Sequence, residues 1–390
     1  MNKAERHNVL IVAGEASGDL HGACLVTAMR AGNPGLSFYG IGGERMKDAG
    51  VELVAHSSEM AVVGFTEVAS KLGRILDVRR RLKQSLREQR PGLVILIDYP
   101  DFNISLAKAA HREGIRVFYY ISPQVWAWRK GRIRDLEKYV TRMVVILPFE
   151  KKVYGDTSLD VRFVGHPLLD VVKRTCSREE FCRRYSLRAD ITTVALLPGS
   201  RESEVGRLLP VMMEAAALLE KNPLPRQFVL PLANTIPRAY VADILGRYRT
   251  RVTVTEEETY DAIASSDVAI VASGTATLET ALLETPMVII YRVSAFSYLL
   301  GRLFIKVDFI GLVNLIAGRK IVPELIQQDA GAPAIAREAE AILLDTRRRE
   351  AMRKDLAGVR SLLGSPGAAE RAAALACELL DEGTLAIPAQ

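Results

Sequence analysis

Cysteine, tryptophan and long apolar runs are all scarce in this chain. Its four cysteines, Cys24, Cys176, Cys182 and Cys377, are scattered through 390 residues, and none forms a Cys-x-x-Cys pair. That pattern indicates neither a disulfide framework nor a zinc site, and it fits a reducing compartment. No apolar stretch approaches the roughly 20 residues that a membrane-spanning helix needs. The nearest one, residues 296–316, is interrupted by Arg302, Lys306 and Asp308. Met1 to Asn8 are polar and the first apolar run, Val9–Ala13, is strand-sized, so no secretory signal is read at the start. A Gly-x-x-x-x-Gly-Lys-Ser/Thr loop is missing, which excludes a P-loop NTPase, and so is the Gly-x-Gly-x-x-Gly fingerprint of dinucleotide folds. No aromatic RNA-binding strand, zinc spacing or recognition-helix pattern appears, so nucleic acid is not an expected partner. There is no short-period repeat and no low-complexity segment.

What is present is a globular composition, with 49% hydrophobic and 25% charged residues. The length suits two domains better than one core. A net charge of +6 permits an anionic partner, whether a phosphorylated ligand or an acidic lipid surface. Short apolar runs alternate with helical stretches. Val9–Ala13, Ser37–Ile41, Leu93–Ile97, Val117–Ile121 and Met143–Leu147 read as strands of a first unit. Thr193–Leu197, Gln227–Leu230, Arg251–Val254, Val268–Ala272 and Met287–Tyr291 read as strands of a second. Alternating β and α units imply parallel sheets covered on both faces. The fold expected is α/β: two Rossmann-like, doubly wound domains facing a cleft. The boundary falls near Gly165-His166-Pro167. The domains are taken as 1–168 and 169–365, with a last helix at about 366–384 able to pack back on the first.

Such sheets bind ligands beyond the carboxyl ends of their strands, so the turns at those ends carry the chemistry. In the second half, Leu196-Leu197-Pro198-Gly199-Ser200-Arg201 lies between a strand and a helix. Gly199 and Ser200 can turn backbone N–H groups toward an anion at a helix N-terminus, and Arg201 can add a planar fork for phosphate oxygens. The alternative is an ordinary tight turn in which Glu202 or Glu204 pairs with Arg201. Ala272-Ser273-Gly274-Thr275-Ala276-Thr277-Leu278-Glu279 repeats the arrangement. Ser273, Gly274, Thr275 and Ala276 form a second diphosphate cradle, and Glu279, about one turn into the helix, is placed to accept from ribose hydroxyls. The competing reading is a capping box with Glu279 near N3.

The first half carries carboxylates instead. Ala13-Gly14-Glu15-Ala16-Ser17-Gly18-Asp19 follows a strand and suits sugar hydroxyls better than phosphate, although Ser17 or Asp19 can equally cap a helix beginning near Asp19. Ile97-Asp98-Tyr99-Pro100-Asp101-Phe102-Asn103 puts Asp98 at a sheet edge, a position for a general base or for a structural loop anchor; Asp101 reads as an N-cap. Ser122-Pro123-Gln124-Val125-Trp126-Ala127-Trp128-Arg129 holds both tryptophans, which can stack on a sugar, line an acyl channel or plug the core. Residues Phe65, Val68, Leu72, Ile75, Leu76, Leu82 and Leu86 fall near helical spacing beside Arg74, Arg79, Arg80, Arg81 and Lys83. That describes either a basic amphipathic helix for an anionic membrane or a core-packed helix with a solvated face. The run Phe296 to Phe304 is a second candidate for lipid contact.

In order and spacing these motifs, joined by Leu147-Pro148-Phe149-Glu150, Gly165-His166-Pro167 and Asn314-Leu315-Ile316-Ala317-Gly318-Arg319, closely resemble those of the lipid-A-disaccharide synthases. These are inverting glycosyltransferases of the GT-B type (family 19). The resemblance implies transfer from UDP-2,3-diacylglucosamine to 2,3-diacylglucosamine 1-phosphate, giving a β(1→6) disaccharide 1-phosphate and UDP. It further implies Asp98 as base, with Glu15 and Arg201 also in the catalytic set, and Gly199, Ser200, Arg201, Ser273, Gly274, Thr275, Ala276, Glu279 and Asn314 around UDP. Ser17, Gly18, Asp19, Trp126 and Trp128 are then the acceptor-side residues. Neither a cofactor nor a metal is implied. The expected partners are the UDP-sugar donor, the acylated glucosamine phosphate acceptor and an anionic membrane surface, and an oligomer is compatible with the reading. The expected location is cytoplasmic, peripheral to the inner membrane. One departure is Gly92, which stands where the family often has an acidic residue. Two other readings share the pattern: a UDP-sugar 2-epimerase and a non-catalytic basic binding protein.

Overall fold

A computed structural model of the protein describes residues 8–60, 65–126, 131–293 and 308–382, with side chains omitted over 65–72. The chain divides into two compact units, residues 1–167 with 364–390, and residues 168–363.

The first unit is built on a seven-stranded parallel sheet, formed by β1 (Asn8–Ala13), β2 (Ser37–Gly42), β3 (Val51–His56), β4 (Leu93–Ile97), β5 (Val117–Tyr120), β6 (Arg142–Val145) and β7 (Asp160–Phe163). The spatial order is β3-β2-β1-β4-β5-β6-β7. The central strands β1, β4 and β5 are buried almost throughout, because helices cover both faces. Strands β3 and β7 lie at the edges and are only partly buried, so they carry no unbroken apolar run to announce them.

The second unit holds six parallel strands: β8 (Thr192–Leu197), β9 (Arg226–Pro231), β10 (Val252–Thr255), β11 (Val268–Ala272), β12 (Met287–Tyr291) and β13 (Glu324–Ile326), in the order β10-β9-β8-β11-β12-β13. The three-residue edge strand β13 is too short to show a pattern. In each sheet the order reverses between two neighbours, β1 beside β4 and β8 beside β11. There Ala13 pairs with Ile97, and Val271 with Leu197. Within each sheet, the two turns leaving those strands therefore emerge side by side at that sheet's carboxyl edge.

The first helix runs Ala16–Gly32, three residues earlier than its sequence suggests, with Glu15 at the N-cap and no side-chain cap. Asp19 points away from solvent and serves a different helix, Glu44–Asp48. Its buried carboxylate accepts from the N–H groups of Gly43 (2.6 Å), Met46 (3.0 Å) and Arg45 (3.2 Å). The helix after β4, Pro100–Arg112, is capped by Tyr99, and Asp101 pairs with Arg132 instead of capping.

In the helix Phe65–Glu88, Val78, Leu82 and Leu86 are fully buried in the core of the first unit, while Leu76 is 40% exposed. Over these residues the core-packed reading of the amphipathic pattern holds, and Arg81 and Arg74 pair with Asp77 and Glu59. The side chains of Phe65, Val68 and Leu72, and the run Phe296 to Phe304, lie outside the described residues. Among those described, no helix is long and apolar enough to cross a membrane.

The last helix, Ala368–Asp381, returns to the first unit and packs on Ala16–Gly32. Arg142 on β6, its side chain only 9% exposed, donates to Glu378 (2.8 Å) and the Leu375 carbonyl (3.0 Å) of that helix and to Asp160 (2.7 Å) on β7. Arg371 donates to the Val164 carbonyl at 2.9 Å.

Asp19→Ala strips three N–H groups, two of them buried, of their acceptor, and we expect it to lower the stability of the first unit by about 3 kcal/mol in urea unfolding. An unchanged midpoint contradicts the assignment of Asp19 as an anchor.

Candidate functional site

In the second unit the turns after β8 and β11 wall a cleft of about 900 Å³, lined by Gly199, Ser200 and Arg201 on one side and by Ser273 to Ala276 and Glu279 on the other. Gly199 has φ +114°, which a side chain rarely adopts. One consequence of the packing, the use of the Ser200 N–H, was not legible in the sequence. The Ser200 N–H donates to Glu204 (3.2 Å), and Arg201, 71% exposed, pairs with the same carboxylate at 3.1 Å. The cradle after β8 thus holds an anion supplied by the protein itself. The competing-pair reading of Arg201 describes this state, with Glu204 as the partner.

The turn after β11 is open. A side chain on Gly274 would meet nothing within 4 Å, and Thr275 and Ala276 lie in the first turn of the helix Thr275–Leu282. N–H groups of a first turn have no helical acceptor, so this end attracts negative charge. Thr277 spends its hydroxyl on the Gly274 carbonyl (2.7 Å). Because Gly274 is the N-cap, Glu279 lies beyond N3 and forms no capping box. It borders the cleft, accepts from the Tyr260 hydroxyl (3.3 Å), and burial raises its pKa. Tyr260 and Arg238, which reaches Glu256 at 2.9 Å, are cleft residues that sequence reasoning missed; they sit in helices with no glycine-rich or hydroxyl-rich signature.

Asn314 is not in this cleft. It is fully buried, donates to the Val322 carbonyl (2.9 Å) and Glu324 (2.7 Å), and accepts from the N–H groups of Ile321 (2.8 Å) and Val322 (3.0 Å). With its amide spent on backbone and Glu324, it braces β13 and has no capacity left for a ligand.

The first unit gathers carboxylates at the β1/β4 reversal. Glu15 and Ser17 are exposed, whereas Gly18 and Asp19 are buried. Gly18 is small because Ala13 and Ile97 crowd it, and Asp19 anchors the helix Glu44–Asp48, so neither is available to an acceptor. Asp98 is pushed up to about 6 by burial first and by the Glu15 charge second; the Tyr99 N–H acts in the opposite direction.

Beyond β5 and β6, Trp126 is half-buried. Its indole N–H reaches Glu150 at 3.4 Å and its ring meets Phe149 edge-on with centroids 5.1 Å apart. It is therefore partly committed to the protein and not a free stacking platform; Trp128 lies outside the described residues. Glu150, only 2% exposed, also accepts from the Leu147 N–H (3.0 Å), and burial pushes it up to about 7. His21 falls to about 4 by burial, and His166 to about 3 by burial and then by His21, so both are neutral at pH 7 and unsuited to acid catalysis. Among the described residues no cluster of three His, Cys, Asp or Glu side chains is placed to hold a metal ion.

Several solved structures share this architecture. The UDP-GlcNAc 2-epimerase of Neisseria meningitidis, solved bound to UDP-GlcNAc, aligns with TM-score 0.62 at 14% identity, over 96% of this chain and 100% of that one. MurG of Acinetobacter baumannii aligns with TM-score 0.59 at 13% identity, over 95% and 99% of the two chains. At such identities the likeness is one of fold, that of GT-B glycosyltransferases and related epimerases. Sequence comparison goes further. The lipid-A-disaccharide synthase of Syntrophus aciditrophicus (strain SB) is 58% identical over 373 residues, covering 95% of this chain and 97% of that protein. The one from Geobacter sulfurreducens is 47% identical over 380 residues, covering 97% and 99%. With residues 9–378 also matching the sequence model of Lipid-A-disaccharide synthetase, the chain belongs to the lipid-A-disaccharide synthetase family.

Proposed function

We propose that this glycosyltransferase joins UDP-2,3-diacylglucosamine to 2,3-diacylglucosamine 1-phosphate, forming the β(1→6)-linked lipid A disaccharide 1-phosphate and UDP. The observation that carries the reading is the placement of two different chemistries at two strand-order reversals: a raised-pKa carboxyl at β1/β4 and an open, anion-seeking helix start at β8/β11. Ionised Asp98 takes the proton of the acceptor 6-hydroxyl as that oxygen attacks the anomeric carbon. The carbon–oxygen bond to the diphosphate breaks on the opposite face, and UDP leaves with the electron pair. A base near pH 6 is ionised in neutral solution yet basic enough to share a proton in the transition state.

The leaving diphosphate rests on the N–H groups of Thr275 and Ala276, with the Ser273 hydroxyl beside it. Arg201 swings from Glu204 to the phosphate oxygens and neutralises the developing charge, so the scheme needs no divalent cation. Glu279 accepts from the ribose, and Tyr260 orients it. Glu15 and Ser17 face the acceptor sugar, with Trp126 at the loop after β5. The acylated substrates place the working protein at a membrane surface, peripherally on the cytoplasmic side of the inner membrane. Its +6 charge favours an anionic one.

Asp98→Asn is expected to lower kcat by at least 1000-fold while UDP affinity, measured by titration calorimetry, stays within threefold; wild-type turnover eliminates Asp98 as the base. The acid limb of the kcat/KM profile should have its midpoint near pH 6, with activity lost as the pH falls and Asp98 is protonated. Glu15→Gln removes a like charge and should move that limb to lower pH; an immobile limb severs the link between the two carboxylates. Arg201→Ala should weaken UDP binding by roughly tenfold or more, the size of one charged hydrogen bond. Glu204→Ala, which removes the acceptor of both Arg201 and the Ser200 N–H, should strengthen UDP binding several-fold. Equal affinity in both variants refutes the exchange of Arg201 between Glu204 and phosphate.

A further inference from the structure

Asp98 and Tyr99 are consecutive non-glycine residues, both with φ +44°. This left-handed region is sparsely populated by residues that carry a Cβ, and two in succession persist only where neighbours hold them. Three side chains do so. The Tyr119 hydroxyl, on the fully buried strand β5, donates to the Asp98 carbonyl at 2.5 Å. Asn103, also fully buried, donates through Nδ2 to the same carbonyl at 2.8 Å and to the Ile97 carbonyl at 3.2 Å. The Tyr99 ring lies over Gly14, where an added Cβ would sit 2.5 Å from the ring, and its hydroxyl reaches the Met60 carbonyl at 3.1 Å. Gly14 belongs to the turn that carries Glu15, so one ring clamps the two carboxylate-bearing turns together.

We infer that Tyr119 and Asn103 are positioning residues: by gripping the Asp98 carbonyl from beneath the sheet edge, they hold the backbone in the turn that presents the Asp98 carboxyl beside Glu15. With φ in its usual negative range the chain would leave β4 in another direction, and the carboxyl would leave the carbonyl edge with it. Two buried donors on one carbonyl oxygen use both of its lone pairs, so rotating the peptide plane after Asp98 strips the Tyr119 hydroxyl of its acceptor and leaves Asn103 only its longer bond to the Ile97 carbonyl. Neither residue touches substrate in this scheme. The inference rests on the proposed role of Asp98 as base.

The test uses the full-length protein and four variants: Asp98→Asn, Tyr119→Phe, Asn103→Ala and the double variant Asp98→Asn/Tyr119→Phe. Tyr119→Phe keeps the ring that packs in the core and removes only the donor. We expect it to fold, to lower kcat at least tenfold, and to leave KM for both substrates within threefold. Added to Asp98→Asn, it should lower kcat no further, because a group that acts only by placing Asp98 has nothing left to place. Asn103→Ala removes the other donor and should show the same split, which keeps the test decisive if Tyr119→Phe does not fold. Wild-type kcat in a folded Tyr119→Phe, or a further tenfold loss in the double variant, overturns the positioning role. The two readings fail separately: full activity in Asp98→Asn defeats the base itself, whereas an inactive Asp98→Asn with a fully active Tyr119→Phe defeats only the grip.

Discussion

A parallel strand cannot be followed by its neighbour without a crossover, and the right-handed crossover fixes which face the connecting helix covers. When successive strands are added first on one side and then on the other, the helices change face, and the two strands at the reversal leave a crevice at their carboxyl ends. The crevice opens after Ala13 and Ile97 in the first unit and after Leu197 and Ala272 in the second. The functional features described above depend on it. It brings Glu15 within electrostatic range of Asp98 across 83 residues of sequence, and it sets Gly199 to Arg201 opposite Ser273 to Ala276.

The two crevices are chemically opposite because their turns differ. The first carries Glu15 and Asp98, and burial first and the Glu15 charge second raise the pKa of Asp98. The second presents helix N-termini and an arginine. Glu204 occupies the Ser200 N–H and Arg201 there at once.

Strands with helices on both faces had to be continuous apolar runs, so β1, β4, β5, β8 and β11 were readable, and with them the α/β class and the position of every turn at the two reversals. Of the four edge strands only β10 was read: β3 and β7 are half-exposed and β13 has three residues, so none of these three carries a long apolar signal. Similar logic separates the site residues. Ser273, Gly274, Thr275, Ala276 and Glu279 follow a strand immediately and lie on the cleft wall, as local spacing predicts. Gly18, Asp19 and Asn314 share that local appearance but are turned inward, where Asp19 and Asn314 satisfy backbone groups. Tyr260 and Glu150 are polar groups beside these sites; no nearby motif marks Tyr260, and the Leu147-Pro148-Phe149-Glu150 motif contains Glu150 without locating it near Asp98.

By itself the sequence determined what local chemistry can determine: which segments are strands, where their turns fall, which turns are acidic and which attract anions, and, through the ordered motifs, the family. The tertiary structure decided which way each polar side chain faces. It committed Asp19 to the helix Glu44–Asp48, Asn314 to β13 and Glu204 to Arg201, and it placed Tyr119 and Asn103 under the Asp98 carbonyl. The reason is range. Backbone preferences and hydrophobic periodicity act over a few residues, whereas a buried hydrogen bond is satisfied by whichever partner the fold brings near, and distance along the chain does not encode that partner.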